Sequence, residues 1–330
     1  MLPVLSPFGS KDRWLEVAPA FFGDESLRLV SELLDRRLIP VINGPEIALY
    51  LGVSPRLVSR MAINPSSYYR TFQIQKKNGG QRRITAPRVF LKTVQRYILD
   101  CILSELPLHP AATGFRRGSN CSLGANQHVG CRYLWNIDMA DFFPSITKAQ
   151  VTKVFEDSGY PSDAAFFLSG LCCLEKRLPQ GAPTSPALSN LVARPLDEAL
   201  SNLSSSAQIK YTRYADDLSF SSRQPFSENF RNEVVQIVNR FGFNLQPRKT
   251  RLMGPAIRRE VTGLTVNDQV SIPRFRRRQL RSYFHHIRYD PSSFINQRNR
   301  AIGFASWLFD YHPEEGMKAL AVSHSIPHAA

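Results

Sequence analysis

The 330-residue sequence predicts an α+β fold in which helices cover an antiparallel sheet. Strand-like and helical runs alternate irregularly, and short strands are joined by hairpin turns, which argues against a doubly wound parallel sheet. Apolar residues make up 43% and aromatic residues 11% of the chain, a globular composition that excludes an intrinsically disordered protein or a simple basic tail. The chain is therefore expected to fold around substantial cores.

The first half of the chain predicts a helical region followed by a basic hairpin. Residues 26–38 carry apolar residues at helical spacing, and Ser54-Pro55 has the form of an N-cap and first-turn proline. Residues 68–75 alternate like a strand, and the Asn78-Gly79-Gly80 turn leads into a returning strand over 82–86. A helix over 90–106 and a strand that ends at Asp138 are expected next.

The second half predicts more helices around a β-turn-β unit. The remaining expected elements are helices over 147–157 and 163–174, a helix from Ser185-Pro186 to about 203, a loop over 201–207, paired strands over 208–222, a helix over 226–241, a hairpin over 261–272 with its turn at Asn267-Asp268, and a terminal helical region from Pro273 onward.

Positive charge is concentrated in two segments. The formal net charge is +15, from 42 Lys and Arg against 27 Asp and Glu. Residues 70–96, the first basic segment, hold eight Lys or Arg and no acid, and residues 256–300, the second basic segment, hold ten Arg and three acids. Two separated cationic segments suit a phosphate backbone that runs through a cleft; the alternative is a pair of solvated basic faces.

Neither a membrane span nor secretion is expected. No apolar run approaches the roughly 18–20 residues that a membrane span needs, and the N-terminus lacks the pattern of a signal peptide. The five cysteines form no CxxC pair and are odd in number, which fits a reduced cytosol better than a disulfide framework or a zinc module. We therefore expect a cytoplasmic protein without a membrane partner.

Acidic residues stand at the ends of predicted strands. Asp138 ends an apolar strand, and Asp216 and Asp217 lie at the tip of the β-turn-β unit, where two adjacent carboxylates can approach one site. Three converging acids repel one another unless a cation neutralises them, and hard oxygen ligands select Mg²⁺. Two Mg²⁺ ions about 3.5–4 Å apart would promote an in-line phosphoryl displacement. An isolated Asp-Asp pair, by contrast, is usually a solvated turn.

The order of the motifs resembles the reverse transcriptase family. The strand ending in Asp138, LPQGAPTSP at 178–186 and YADD at 214–217 occur in the family's order, and the resemblance covers roughly residues 70–285. It implies a right-hand polymerase with fingers, an antiparallel palm sheet and a short helical thumb. The implied activity is RNA-directed DNA polymerisation on two Mg²⁺ ions, with dNTPs as substrates.

The resemblance also implies roles for single residues. Asp138 and Asp216 would be the main metal ligands, with Asp217 and the Met139 carbonyl assisting, and Lys249 would protonate the pyrophosphate unless it is an ordinary surface lysine. The residues implied to line the incoming nucleotide are Arg82, Arg83, Asp141, Phe142, Phe143, Gln180 and Gly181. Within that set, Arg82 or Arg83 would grip the triphosphate, and Phe143 would exclude a 2′-hydroxyl unless it is a core residue.

Further segments resemble the retron subgroup of reverse transcriptases. These are TGFRRGSN at 113–120, LGANQHVG at 123–130 and VTGL at 261–264. The subgroup's Asn-Ala-x-x-His signature is kept at Ala125 and His128, although Gly124 replaces its Asn and His128 could equally be a structural histidine. The residues expected to contact RNA are Lys76, Lys77, Ala125, His128 and, on an amphipathic terminal helix, Arg274, Arg277, Arg278 and Arg281; the primer grip would be Val261, Thr262 and Gly263.

The retron resemblance implies a specific biology. Such an enzyme copies a cognate structured non-coding RNA into single-stranded cDNA, leaves a branched RNA–DNA product, and acts with an accessory effector protein in anti-phage defence. Two alternatives stay open at this point: another bacterial defence reverse transcriptase with a different primer, or an RNA-binding scaffold that restrains an effector. The implied regions are an N-terminal helical region (1–65), fingers (66–130), palm (131–145 and 184–265), fingers and palm helices (146–183) and thumb (266–330).

Overall fold

The computed structural model describes residues 6–75 and 79–328. Its α-helices are α1 (Lys11–Phe21), α2 (Asp24–Asp35), α3 (Glu46–Leu51), α4 (Pro55–Ile63), α5 (Val89–Cys101), α6 (Ser122–Ala125), α7 (Phe142–Ser145), α8 (Lys148–Asp157), α9 (Ser162–Cys172), α10 (Ser185–Val192), α11 (Arg194–Ser206), α12 (Glu228–Arg240), α13 (Arg274–Tyr289), α14 (Arg298–Tyr311) and α15 (Pro313–His324). Its strands are β1 (Tyr69–Gln75), β2 (Gln81–Pro87), β3 (Tyr133–Ala140), β4 (Lys210–Tyr214), β5 (Asp217–Ser222), β6 (Asn244–Leu245), β7 (Arg251–Met253), β8 (Glu260–Val261) and β9 (Leu264–Thr265).

The central sheet is antiparallel throughout, as the sequence predicts. Its strands are ordered β4-β5-β3-β6, and β7 also pairs with β3. Strand β3 is therefore hydrogen-bonded on both edges, and its residues Leu134, Trp135, Ile137 and Met139 are buried. The α+β fold with an antiparallel palm-type sheet is confirmed.

Strand β3 is shared between two hydrophobic cores. Trp135 and Ile137 belong to a first core that also contains Trp14 from the N-terminal helices. Leu134, whose side chain points to the opposite face of the strand, belongs to a second core with the C-terminal helices α13, α14 and α15. The N-terminal region is thus part of the first core, and the C-terminal helices pack against the far face of the sheet.

Most elements lie where the sequence places them, but the segment over 185–207 differs in two respects. The expected loop over 201–207 is wrong, because α11 continues to Ser206 with Ser204 buried. The single helix expected from Ser185 is two helices separated at Ala193, beyond which Pro195 occupies the first turn of α11.

The segment after residue 260 contains one turn more than the single hairpin turn expected at Asn267-Asp268. Thr262 and Gly263 have φ values of +50° and +81°, and they form a two-residue turn between β8 and β9. Thr265 then pairs with Ser271 across the Asn267-Asp268 loop, so the segment turns twice rather than once. In the described ranges 6–75 and 79–328, no helix is long and apolar enough to cross a membrane.

Candidate active site

The three predicted carboxylates meet at one end of the central sheet. Asp138 of β3 lies directly opposite Asp217 of β5 in the antiparallel register. The Met139 amide donates a hydrogen bond to the Asp216 carbonyl at 2.9 Å, which ties the turn to β3. Between Tyr214 and Asp216 the chain turns at Ala215, which has a φ of +56°. Because this turn breaks the alternation of the strand, adjacent carboxylates can reach one site.

A lysine from the following segment neutralises one of these acids. The Asp138 carbonyl accepts a hydrogen bond of 2.7 Å from the Gln246 amide, and this contact holds a short helical turn over Pro247–Lys249 beside β3. The Lys249 ammonium donates to both carboxylate oxygens of Asp138 at 2.7 Å. Partial desolvation opposes its charge, but the hydrogen bond to Asp138 and the neighbouring acids raise the pKa of Lys249.

The other two acids, Asp216 and Asp217, have raised pKa values. Desolvation and the negative charge of Asp138 raise the pKa of Asp216 above its usual value. Desolvation and the carboxylates of Asp216 and Asp138 raise the pKa of Asp217 to about 7. Carboxylates with raised pKa values at one site are stabilised in their ionised form by an added cation.

The donor chemistry of this cluster fits Mg²⁺. The available ligands are carboxylate and carbonyl oxygens, which hard divalent cations prefer. Among residues 6–75 and 79–328, no three or more His, Cys, Asp or Glu side chains form a preformed metal cage. Mg²⁺ in nucleotide-dependent enzymes is commonly held by one or two carboxylates together with substrate phosphates, so an open arrangement is the one expected here.

Two of the seven predicted nucleotide-lining residues line one cavity. Phe143 and Gly181 line a cavity of about 580 Å³ together with Phe115. The Phe143 ring lies 6.3 Å from the Phe115 ring, whereas Phe142 is buried against Phe243 at 5.5 Å. Phe142 can therefore contribute only its backbone to a ligand, and Phe143 is the aromatic side chain available to the cavity.

The backbone around this cavity is held in unusual conformations. Asp141 is exposed, has a φ of +45°, and its carbonyl accepts a hydrogen bond from the Ser145 amide at 2.8 Å. Gly181 has a φ of +129°, a region that strongly favours glycine, and a Cβ there would lie 2.9 Å from Ile84 Cγ2. The neighbouring Gln180 carbonyl accepts a hydrogen bond from the Thr85 amide at 2.9 Å, so the β1–β2 hairpin is attached to this loop.

The structure distinguishes between the two hairpin arginines. Arg82 and Arg83 are adjacent on β2 and both are exposed, so their side chains project from opposite faces of the hairpin. The positive charge of Arg82 acts to lower the pKa of Asp216. Arg82 is thus the arginine on the carboxylate side. Lys76 and Lys77, also predicted to contact RNA, lie outside the described residues.

Ala125 and His128 do not present a surface to RNA. Their exposed fractions are 0% and 1%. The His128 ring is fixed between Ser221 Oγ at 2.6 Å and Thr212 Oγ1 at 2.7 Å, and burial together with the charge of Lys210 lowers its pKa to about 4. The expected RNA contact is corrected accordingly: His128 is a neutral structural histidine that bridges β4 and β5.

The terminal helix α13 has the predicted amphipathic character. Leu280, Phe284 and Ile287 are buried in the second core. Arg274, Arg278 and Arg281, spaced at i, i+4 and i+7, are exposed on a different face of the helix. Arg277 differs from them, because its side chain is only 24% exposed and its guanidinium donates to Glu315 at 3.2 Å. The exposed stripe of α13 therefore consists of Arg274, Arg278 and Arg281, and Arg277 joins α13 to α15.

The predicted primer-grip residues lie in the β8–β9 turn. Val261 is buried, and Gly263 is exposed at the tip. The Thr262 hydroxyl donates to the Cys121 carbonyl at 2.9 Å, which connects this turn to the segment before α6. The turn is therefore fixed at its base and open to a ligand at its tip.

Sequence reasoning missed residues that support this site. Phe115, with a φ of +59°, packs between Phe143 and Tyr214. Arg213 and Asp197 form an ion pair in which both side chains are fully buried. A charged residue inside the apolar β4 pattern was a signal for Arg213. Nothing in the sequence indicated its partner, which lies on a separate helix.

Comparisons with known proteins identify the family of this chain. A family model described as reverse transcriptase (RNA-dependent DNA polymerase) matches residues 74–276. The retron Ec86 reverse transcriptase of Escherichia coli is 36% identical over 262 residues, which cover 78% of this chain and 82% of that enzyme. The retron Mx65 reverse transcriptase of Myxococcus xanthus is 36% identical over 276 residues, which cover 76% of this chain and 65% of that enzyme.

A solved structure is also similar in part. Telomerase from Candida albicans, in complex with a fragment of telomeric RNA, superimposes with a TM-score of 0.45 and 9% identity over 77% of this chain and 61% of its own. The extent of the family match and the identity to the Ec86 enzyme establish the family. The chain belongs to the retron reverse transcriptases and is an RNA-directed DNA polymerase.

Proposed function

We propose that this enzyme copies a cognate structured non-coding RNA into single-stranded cDNA, leaves a branched RNA–DNA product, and acts with an accessory effector protein in anti-phage defence in the cytoplasm. The observation that supports catalysis is the meeting of Asp138, Asp216 and Asp217 at one end of the β3–β5 pair, with raised pKa values for the last two. The retron-specific part rests on similarity to retron enzymes.

Asp138, Asp216, Asp217 and the Met139 carbonyl are the proposed ligands of two Mg²⁺ ions. When bound, the ions would favour ionisation of the primer hydroxyl and neutralise charge on the transferring phosphate. The primer hydroxyl loses its proton to solvent as its oxygen forms a bond to the α-phosphorus, and the bond from that phosphorus to the bridging oxygen breaks. Pyrophosphate leaves and takes a proton from the ammonium group of Lys249, which in this structure is bonded to Asp138.

Phe143 is the proposed barrier against ribonucleotides. Its ring lines the cavity beside Gly181, where the sugar of an incoming nucleotide would lie. Replacing Phe143 with Ala is expected to raise ribonucleotide incorporation relative to deoxynucleotide incorporation by about 10-fold or more, because the 2′-hydroxyl no longer meets the ring. Single-nucleotide extension assays measure this ratio. Phe241→Ala is the matched control, and an equal ratio in both variants would contradict the assignment.

Arg82 is the proposed contact to the triphosphate. We expect Arg82→Ala to raise KM for dNTPs about 10-fold or more, since a charge-assisted contact to phosphate contributes about 1.5–3 kcal/mol. Arg83→Ala removes the same charge from the opposite face of β2 and should change KM less than threefold. Steady-state extension kinetics on one primer and template compare the two; equal effects would remove the distinction.

The first basic segment provides a proposed path for the template. Arg70, Arg88 and Lys92 line a cavity of about 420 Å³ beside Phe90 and Gly181. The Phe90 side chain is 64% exposed. Cations that follow a phosphate backbone, together with an exposed ring on which a base can stack, are the usual means of binding single-stranded nucleic acid. The exposed stripe of α13 would hold a duplex stem of the same RNA through phosphate contacts.

The test of the retron assignment uses the nucleic acid that the protein carries. The protein is purified with its bound RNA, supplied with dNTPs and Mg²⁺, and the product is sequenced and treated with a 2′–5′ debranching enzyme. A single structured RNA joined to cDNA by a debranching-sensitive bond is expected. A linear product would favour a conventionally primed defence enzyme.

We also propose the regional division given by the resemblance. Residues 66–130 form fingers, 131–145 and 184–265 the palm, 146–183 helices between them, and 266–330 the thumb. Most buried residues of the second core lie within 266–330, which supports the thumb as a packing unit that also contacts Leu134 of the palm. The N-terminal helices up to residue 65, by contrast, share the first core with the palm.

A further inference from the structure

A buried ion pair lies behind the Asp216-Asp217 turn and takes no part in the chemistry described above. The Arg213 and Asp197 side chains are both 0% exposed. Arg213 Nε donates to Asp197 Oδ1 at 2.7 Å, and Nη2 donates to Oδ2 at 2.6 Å, so two parallel bonds fix the plane of the guanidinium. The Tyr211 hydroxyl donates to the same carboxylate at 2.8 Å.

The third nitrogen of Arg213 contacts the turn itself. Nη1 donates to the Ala215 carbonyl at 3.1 Å and to Asn190 Oδ1 at 3.1 Å. Ala215 has the left-handed conformation that a residue with a Cβ adopts only at a cost, and it immediately precedes Asp216. The hydrogen bond from Arg213 therefore acts on the backbone conformation that sets the direction of the carboxylates.

Gly114 completes the support. Asn190 Nδ2 donates to the Gly114 carbonyl at 2.8 Å. A Cβ at Gly114 would lie 3.0 Å from the Ala215 amide nitrogen and 3.1 Å from Tyr214 Cγ, so this residue packs directly on the turn. The φ of Gly114 is not in the left-handed region, so an alanine there would act on the turn by contact rather than by local strain.

Stability alone does not explain this ion pair. Burying two charges is costly, and well-packed apolar residues of similar volume often stabilise a fold as well or better. An apolar replacement, however, cannot donate a hydrogen bond to the Ala215 carbonyl. The feature that requires an arginine here is therefore the contact with the turn.

We propose that Arg213, oriented by Asp197 and Asn190, is a positioning residue that holds the Asp216-Asp217 turn in its catalytic geometry. The inference rests on the proposed catalytic role of these two acids. Small displacements of reacting groups have large kinetic effects, since a misplacement of about 1 Å can lower the rate about 100-fold.

The first test is an apolar triple variant, Arg213→Met/Asp197→Leu/Tyr211→Phe, which leaves neither member of the ion pair alone. Thermal melting, RNA affinity and dNTP extension kinetics are measured on the protein with its bound RNA. We expect a melting temperature and RNA affinity close to those of the wild type, with kcat lowered about 100-fold. A folded variant with kcat within threefold of the wild type would overturn the proposal.

The second test displaces the same turn by a smaller change and applies even if the triple variant does not fold. Gly114→Ala pushes on the turn by a few tenths of an ångström and is expected to lower kcat about fivefold without changing RNA affinity. The matched control is Gly303→Ala in α14, where an added Cβ meets nothing within 4 Å. Equal kcat values for the two alanine variants would overturn the proposal.

Asp216→Asn, assayed in parallel, distinguishes failure of the proposed catalytic site from failure of the proposed positioning role of Arg213. If Asp216→Asn stays active, the proposed catalytic site fails, and the positioning role fails with it. If Asp216→Asn is inactive while Gly114→Ala and the folded triple variant are fully active, only the positioning role of Arg213 is lost.

Discussion

Replacing Asp216 with Asn is expected to lower cDNA synthesis at least about 1,000-fold, because a lost ligand removes about 4 kcal/mol or more of transition-state stabilisation. The fold and the bound RNA should be retained. The carboxylate is already costly to ionise in its surroundings, since desolvation and Asp138 raise its pKa. Removing its charge should therefore raise, and not lower, the melting temperature in Mg²⁺-free buffer.

The measurement combines activity with melting curves. Product formed on the copurified RNA is quantified with and without Mg²⁺, and thermal unfolding is followed in both buffers. Addition of Mg²⁺ should stabilise the wild type more than the variant, because a cation that binds the folded state shifts unfolding by mass action. Asp310→Asn, an exposed residue of α14, is the matched control. Comparable cDNA from wild type and Asp216→Asn would reject the catalytic assignment.

The second large effect is expected for the exposed stripe of α13. The double variant Arg278→Ala/Arg281→Ala should bind RNA about 10- to 100-fold less tightly at low salt. Two lost phosphate contacts should also make the plot of log K against log salt shallower by about 1.5–2. Arg277 is left intact in this design, because its bonds to α15 give it a structural role. Filter binding with the copurified RNA across a salt series provides both quantities.

The control for this prediction carries the same change of charge elsewhere. Arg56→Ala/Arg60→Ala removes two exposed arginines from α4, outside both basic segments. It should leave the salt slope within experimental error of the wild type. If both double variants show the same slope, the stripe of α13 is a solvated basic face and the stem lies elsewhere.

The sequence predicted strands β3, β4 and β5 and the positions of the three acids, but it did not predict strands β6 and β7 or the long-range polar contacts. Alternating strands and the YADD turn predicted β4, β5 and the position of Asp216, because period-two burial is a local property. The partner of Arg213 could not be predicted, since Asp197 lies on a helix whose packing depends on the whole fold. His128 was ambiguous for the same reason: only the surrounding hydroxyls show that it is buried and neutral.

Local patterns also failed where tertiary packing overrides propensity. The serine-rich stretch at 201–207 has the composition of a loop, yet α11 extends through it because Leu200 and Ser204 are buried. Likewise, helical spacing placed Arg277 with its neighbours on an RNA-facing side. Its position over Glu315 of α15 depends on a helix–helix contact that no local pattern encodes.

The position of β3 between two cores has a consequence for engineering. Because Leu134 is covered by residues of the second core, deletion of the chain beyond residue 265 would expose the back of the strand that carries Asp138. A chimera that takes its last 65 residues from a relative, in order to read another RNA, must also match the surface around Leu134, Ala125 and Met253. Under the proposed role of α13 in RNA binding, a change of RNA specificity and the integrity of the catalytic strand are therefore coupled, and a mismatched C-terminal segment would leave Leu134 exposed to solvent.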